Sequence, residues 1–170
     1  MSVTTAVLVL LAVLLSGVYL SWTAGRLDRL HARVDAAWAA LDAQLVRRAA
    51  AALALVPLLP PAEAAALDAA AHACIEARDE GREAVENRLS RALRSALAVL
   101  PPGTELEELQ SAVTRVGLAR SFHNAAVKDT RALRFRRIPR ALRLNGRRAM
   151  PEYFEIDDTS LLQAVPRPPT

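Results

Sequence analysis

Three histidines, His31, His72 and His123, and one cysteine, Cys74, are the side chains best suited to hold a metal or act as a nucleophile. A zinc site needs such donors to converge on one point. His72 and Cys74 are two apart, which on a helix turns them about 200° from each other, so they diverge. Nothing in their spacing requires His31 and His123 to meet. The acids Glu76, Asp79, Glu80, Glu83 and Glu86 look like half of a carboxylate site. A di-metal bundle, however, needs carboxylates and histidines directed inward from several helices. Here Arg78 and Arg82 are interleaved with the acids, which favours solvated helix pairs. The six glycines are scattered and build no phosphate loop, and neither a nucleophile elbow nor a His-Glu-x-x-His pattern occurs. The expectation is a non-enzymatic protein with no catalytic residue, no cofactor and no metal.

A second group of polar candidates surrounds Trp38, one of two tryptophans in a chain with 4% aromatic residues. Trp38 and Asp42 share a helical face at i, i+4, while Gln44 points elsewhere. The indole is expected to fill space between helices, with Asp42 or a facing Asn124 as acceptor for its N–H. Arg47 and Arg48 follow on the same helix, and His123 precedes Asn124 far downstream. These residues are assigned structural or interaction roles.

The elements that must position them are helical. Of 170 residues 52% are apolar, and the scarcity of aromatic and β-branched residues after residue 35 disfavours a β-sandwich. From Ser2 to Gly25 no residue is charged, long enough for a helix to cross the hydrocarbon core. Tyr19 and Trp22 lie near its end, where amphipathic rings favour the headgroup layer. A cleaved signal peptide is the rival, but no basic residue precedes the run, and cleavage after Ala24 would put Trp22 at the −3 position. Arg26, Arg29 and Arg33 follow the run, so the positive-inside rule places the C-terminal part in the cytoplasm of a single-pass cell-membrane protein.

Beyond this anchor, Leu27, Leu30, Val34, Ala37, Leu41 and Leu45 recur every three or four residues, the period of a helix with one buried stripe. This first helix is expected to continue from the anchor and to stop near Pro57 and Pro60-Pro61. A second helix is expected from about Ala62 to Val99, weakened between Glu76 and Glu86, and ended by Pro101-Pro102-Gly103. A third begins at Thr104, whose spacing to Glu107 fits a capping box. Short Pro-rich turns joining long helices predict an antiparallel three-helix bundle with a short fourth helix near Arg140–Arg148. The expected organisation is an anchor over 1–25, an all-α bundle over 26–158 and a flexible tail over 159–170.

The net charge of +4 is unevenly spread. Residues 128–150 carry +8: Lys128, Arg131, Arg134, Arg136, Arg137, Arg140, Arg143, Arg147 and Arg148 against Asp129. This basic segment suits a solvated surface whose arginine stems cover the bundle end, or a patch against anionic headgroups. Nucleic acid is disfavoured, because the net charge is modest and no reading module accompanies it. With three long helices alternating in direction, the segment is expected at the membrane-distal end, which argues against the lipid contact.

Several stretches together resemble a known family. Arg26-Leu27-Asp28-Arg29-Leu30 follows the anchor. Trp38, Asp42, Gln44, Leu45, Arg47 and Arg48 form one block, and Phe122-His123-Asn124 with Val127 forms another. Glu152-Tyr153-Phe154-Glu155 closes the series. The pattern is similar to the LemA family of bacterial membrane proteins over about residues 26–158. It departs from that family where His123 replaces a tyrosine, where Thr130-Arg131 replaces a tyrosine-asparagine motif and where Ile138-Pro139 replaces a phenylalanine-proline pair. The resemblance implies an N-terminal transmembrane helix and a cytoplasmic bundle of long helices, and it implies no catalytic mechanism. The functional expectation is a membrane-anchored scaffold or adaptor that binds a protein partner, or more narrowly a regulatory subunit of an envelope or signalling assembly. A metal-binding or enzymatic bundle is the contrasting class.

Overall fold

A computed structural model describes residues 2–78, 81–101, 106–134 and 149–158. The capping box at Thr104, the short helix near Arg140–Arg148 and the tail beyond residue 158 fall outside these residues. Four α-helices appear: α1 (Val3–Leu53), α2 (Pro61–Glu76), α3 (Arg82–Val99) and α4 (Glu107–Arg134), with no strand among the described residues. A short 3-10 turn, Val56–Leu58, follows α1.

The 51-residue α1 runs without a break from the uncharged stretch into the amphipathic one. Gly25 does not interrupt it, because a lone glycine costs only about 1 kcal/mol in a helix. The first part of α1 is long and apolar enough to cross a membrane, and its large apolar side chains from Val3 to Trp22 are exposed except for the half-buried Leu20. Proline sets the next boundary. Pro57 and Pro61 each stand in the first turn of a helical element, where the missing N–H costs no hydrogen bond.

The expected single helix from Ala62 to Val99 is two helices. Ala77 adopts an extended conformation and Gly81 a left-handed one, with φ +74°, a region that side chains with a Cβ avoid. The chain turns between them, and α2 packs against α3. The outer ends of the expected helix agree with the structure to within a residue.

The helices contribute to two compact units, Met1–Ala36 with Ala125–Glu152, and Ala37–Asn124 with Tyr153–Thr170. In the first, Thr23, Leu27, His31 and Val34 form a buried stripe on α1 at helical spacing. Ala126, Val127, Thr130 and Leu133 are buried on α4. Thr130 Oγ1 donates to Leu30 O at 3.4 Å, and Arg33 pairs with Asp129 at 3.7 Å. The end of α4 therefore lies beside the turn of α1 that follows the apolar run. This overturns the expectation that the basic segment begins far from the anchor. The break between α2 and α3 gives four helices where that expectation assumed three.

The second unit holds two apolar clusters. One gathers Ala49, Ala52 and Leu55 of the α1 end with Leu67, Ala71 and Cys74 of α2, Leu89 and Leu93 of α3, and Leu109 and Val113 of α4. Small alanines here allow close helix approach, so the alanine-rich run after Arg48 is core. The other joins Leu41 and Leu45 to Val116, Phe154 and Ile156.

Phe154, Ile156 and Asp158 are buried while Tyr153, Glu155 and Asp157 are exposed, the alternation of an extended segment. Side chains of α3 and α4 serve as its hydrogen-bonding edge. The amides of Glu155 and Asp157 donate to Glu83 Oε1 at 2.6 Å and Asn87 Oδ1 at 2.8 Å. Arg94 pairs with Asp157 at 3.0 Å, and Arg120 with the buried Asp158 at 3.0 Å.

Candidate functional site

The strongest concentration of buried charge joins α1 to α3 in the second unit. Arg48 and Glu86 are both 0% exposed, and Arg48 Nη2 meets Glu86 Oε2 at 2.6 Å. Arg82, almost as deeply buried, donates from Nε to Glu86 Oε1 at 3.0 Å. Its Nη1 reaches Asp42 Oδ1 at 3.0 Å and Ala77 O at 2.7 Å. Arg48 Nη1 also donates to Ser90 Oγ at 3.4 Å. The chain of charges reads Asp42, Arg82, Glu86, Arg48, alternating in sign and neutral in sum.

Burial of this kind costs several kcal/mol per ion in lost hydration, which only close pairing and added hydrogen bonds offset. One carboxylate between two guanidiniums, each held by further acceptors, meets most of that condition; Arg48 Nε and Arg82 Nη2 are buried without a hydrogen-bond partner among the described residues. The helical spacing of Arg82 and Glu86 at i, i+4 does form the expected pair. It is not solvated, however, because Arg48 of α1 closes over it. Arg82 Nη1 also accounts for the break before α3: Ala77 O is released from the helical ladder and takes this donor instead.

Cys74 is buried beside this network, with its Sγ donating to Val85 O at 3.5 Å. Its thiol is pushed up to about 12, first by burial and then by the nearby Glu86 carboxylate. A thiol held protonated is a poor nucleophile. In the folded chain its alkylation by iodoacetamide at pH 8 is expected to be slower than in urea by roughly three orders of magnitude, tenfold per unit of pKa. A raised acid pKa stabilises the fold fully below the ordinary value of 9.0 and loses that contribution as pH climbs from there toward 12. Equal alkylation rates with and without urea would show that the thiol is accessible and ionisable in the fold.

The second cluster is aromatic. Trp38 is half-buried, with His123 and Phe154 each 5.4 Å away between ring centroids and inclined at 59° and 67°. Both are tilted or edge-on arrangements, which suit the charge distribution of aromatic rings. Asn124 supplies the frame: its Nδ2 donates to Phe154 O at 3.1 Å and its Oδ1 accepts from Phe154 N at 2.9 Å. Of the two acceptors expected for the indole, Asp42 also binds Arg82 through Oδ1 and Asn124 binds the Phe154 backbone.

The structure brings Trp38 and His123 together, and separately links Asp42 to Arg48 through Arg82 and Glu86. Gln44 and Arg47 point to another side, where they line an open groove of about 720 Å³ with Glu107, Glu108, Ser111 and Arg115. Sequence reasoning read Arg82 and Glu86 as solvated, did not single out Ser90, and noted Phe154 only within the family resemblance. The alternation of Phe154, Ile156 and Asp158 was a readable signal for the last of these. Glu76 is exposed, Glu83 binds the backbone of Glu155, and Asp79 and Glu80 lie outside the described residues. His72 is exposed beside Asp68, and His31 Nδ1 lies 2.9 Å from Leu27 O on its own helix. Among the described residues no group of three or more His, Cys, Asp or Glu is placed to hold a metal ion. Of the basic segment, Lys128, Arg131 and Arg134 are described. Arg136, Arg137, Arg140, Arg143, Arg147 and Arg148 lie outside the described residues.

The chain matches no protein-family model, no curated protein and no solved structure.

Proposed function

We propose that this chain is a non-enzymatic, membrane-anchored scaffold or adaptor, a LemA-like protein whose helical part binds another protein. The observation that carries the reading is α1 itself. One unbroken helix passes from an uncharged, largely exposed stretch into a buried amphipathic stripe, so a bilayer anchor and part of a folded unit share one helix. Within the second unit, the helices are taken to form an antiparallel bundle. The pairing of Ala49–Leu55 with Leu109–Val113 and of Leu41 with Val116 supports this.

Most polar groups at the seams bond to one another and to the backbone, as in a packing network, and the thiol nearest them, Cys74, is held protonated by burial and the Glu86 carboxylate. The outer surface is better equipped. Leu118 and Phe122 of α4, at i, i+4, are 56% and 68% exposed, an apolar pair suited to a partner's contact face. Proximity labelling from the C-terminus in intact cells is expected to recover a protein whose labelling is lost in Leu118→Asp/Phe122→Asp. Labelling unaffected by this double substitution would overturn the assignment of that face.

Arg26, Arg29 and Arg33 support a cytoplasmic location for the part after Gly25. Residues 26–170 are therefore expected to resist external protease in intact spheroplasts and to be digested once the membrane is opened. Digestion in intact spheroplasts would reverse the topology, and release of a soluble 26–170 fragment would identify a cleaved leader.

A further inference from the structure

We propose that the first unit carries a juxtamembrane collar of basic side chains that binds anionic phospholipid headgroups, with Arg26, Arg29 and Lys128 as its exposed members. The inference rests on the membrane-anchor reading of α1 and adds a lipid preference to it. Three features of the same unit support it. The first is level. Five residues separate Gly25, the end of the uncharged run, from Leu30, whose carbonyl accepts from Thr130. At 1.5 Å per residue that is about 7.5 Å along the helix, within one Debye length of a headgroup plane at the foot of the anchor. Trp22, 56% exposed, marks that plane, and Arg26 stacks over its ring at 5.6 Å.

The second feature is the charge gathered there. Arg26 and Arg29 are exposed on α1, and Lys128 is exposed on α4. Arg131 and Arg134 bring two more guanidiniums to the last turns of α4. Each gives Nη1 to a backbone carbonyl, Pro151 O at 3.2 Å and Ala149 O at 2.7 Å, which holds the side chain in place. The acids Asp28 and Asp129 also face this region, and Asp129 pairs with Arg33.

The third is how the chain is tied. Arg134 and Ala149 are joined by a hydrogen bond, so the chain leaves and re-enters at the same point. The sequence between them holds six arginines and no acid. A basic residue near an anionic surface contributes about 1 kcal/mol, and tethering by the anchor supplies the high local concentration.

The test uses the full-length chain reconstituted in phosphatidylcholine bilayers with trace spin-labelled phosphatidylglycerol or phosphatidylcholine. Electron paramagnetic resonance measures the motionally restricted lipid around the protein. At low salt the anionic label is expected to be preferred over the zwitterionic one by about fivefold or more, the effect of a single basic residue near the surface. The preference should fall in 0.5 M NaCl and be reduced several-fold in R26Q/R29Q/K128Q. All three positions are exposed, so an unchanged far-ultraviolet circular dichroism spectrum is expected and separates lost contact from lost fold. Restricted phosphatidylcholine with no preference for phosphatidylglycerol would overturn the collar while leaving the anchor intact. A preference unchanged in the triple variant would overturn the assignment to these residues. Absence of any restricted lipid would instead remove the anchor reading on which the collar rests.

Discussion

Replacing Glu86 by alanine is expected to destabilise the chain by about 3–5 kcal/mol, the cost of leaving a buried ion without its partner. Arg48 is 0% exposed and loses its 2.6 Å contact, and Arg82 loses one of two carboxylates at the same time. Arg48 keeps Ser90 and Arg82 keeps Asp42 and Ala77 O, so the damage is concentrated on Arg48. Arg48→Met combined with Glu86→Leu should recover most of the loss, since an apolar pair of similar volume avoids the hydration cost altogether. Urea unfolding of the detergent-solubilised full-length chain, followed by circular dichroism, measures both. A cost below about 1 kcal/mol for Glu86→Ala would mean a solvated pair, the value typical of surface ion pairs. A double variant no better than the single one would mean that the network's hydrogen bonds, rather than its charge balance, hold α1 to α3.

Trp38→Ala is expected to cost about 3 kcal/mol, the low end of the range for removing a core aromatic because the indole is half-buried. The loss has a structural extension. Phe154 packs against the indole, and the extended segment around it is held to α3 and α4 by Glu83, Asn87, Arg120 and Asn124. Loosening Phe154 should therefore raise protease sensitivity near residues 153–158 before the helices unfold. Trp38→Phe should restore most of the stability, since a smaller ring still contacts His123 and Phe154. Thermal unfolding of the full-length chain in detergent is the measurement. An unchanged melting temperature for Trp38→Ala would place the indole outside the packing and leave it to a partner.

Much of the helical layout was legible because it depends on local properties. An uncharged run, an apolar residue every three or four positions, and proline at the boundaries act through neighbours a turn away. The end of α1 before Pro57, the start of α2 at Pro61 and the end of α3 before Pro101 all follow from that chemistry. The break between α2 and α3 was legible only as a weakly apolar, charged stretch from Glu76 to Glu86. Residues 76–86 are mostly Glu, Ala and Arg, good helix formers, and one glycine among them is ordinarily tolerated. What tips the balance is the tertiary gain of turning there. Arg82 then reaches Asp42 and Ala77 O, and α2 lays its alanine face on α3.

The candidate residues divide along the same line. Trp38 was placed at a helix seam from its position beside the apolar stripe, and Arg78 and Arg82 interleaved with the acids pointed to solvated helix pairs. Neither could show that Glu86 is fully buried, because that depends on Arg48, 38 residues away in sequence. Sequence alone determined that the chain is helical, that it carries one stretch apolar enough to span a bilayer, and that its positive charge is concentrated after residue 127. Only the tertiary structure decided which charges are buried against each other, that an extended segment from Tyr153 to Asp158 completes the second unit, and that the basic end of α4 returns to the foot of the apolar helix. Helix formation and hydropathy are set by short-range chemistry. The cost of burying a charge and the direction in which a chain returns depend instead on partners that only folding brings near.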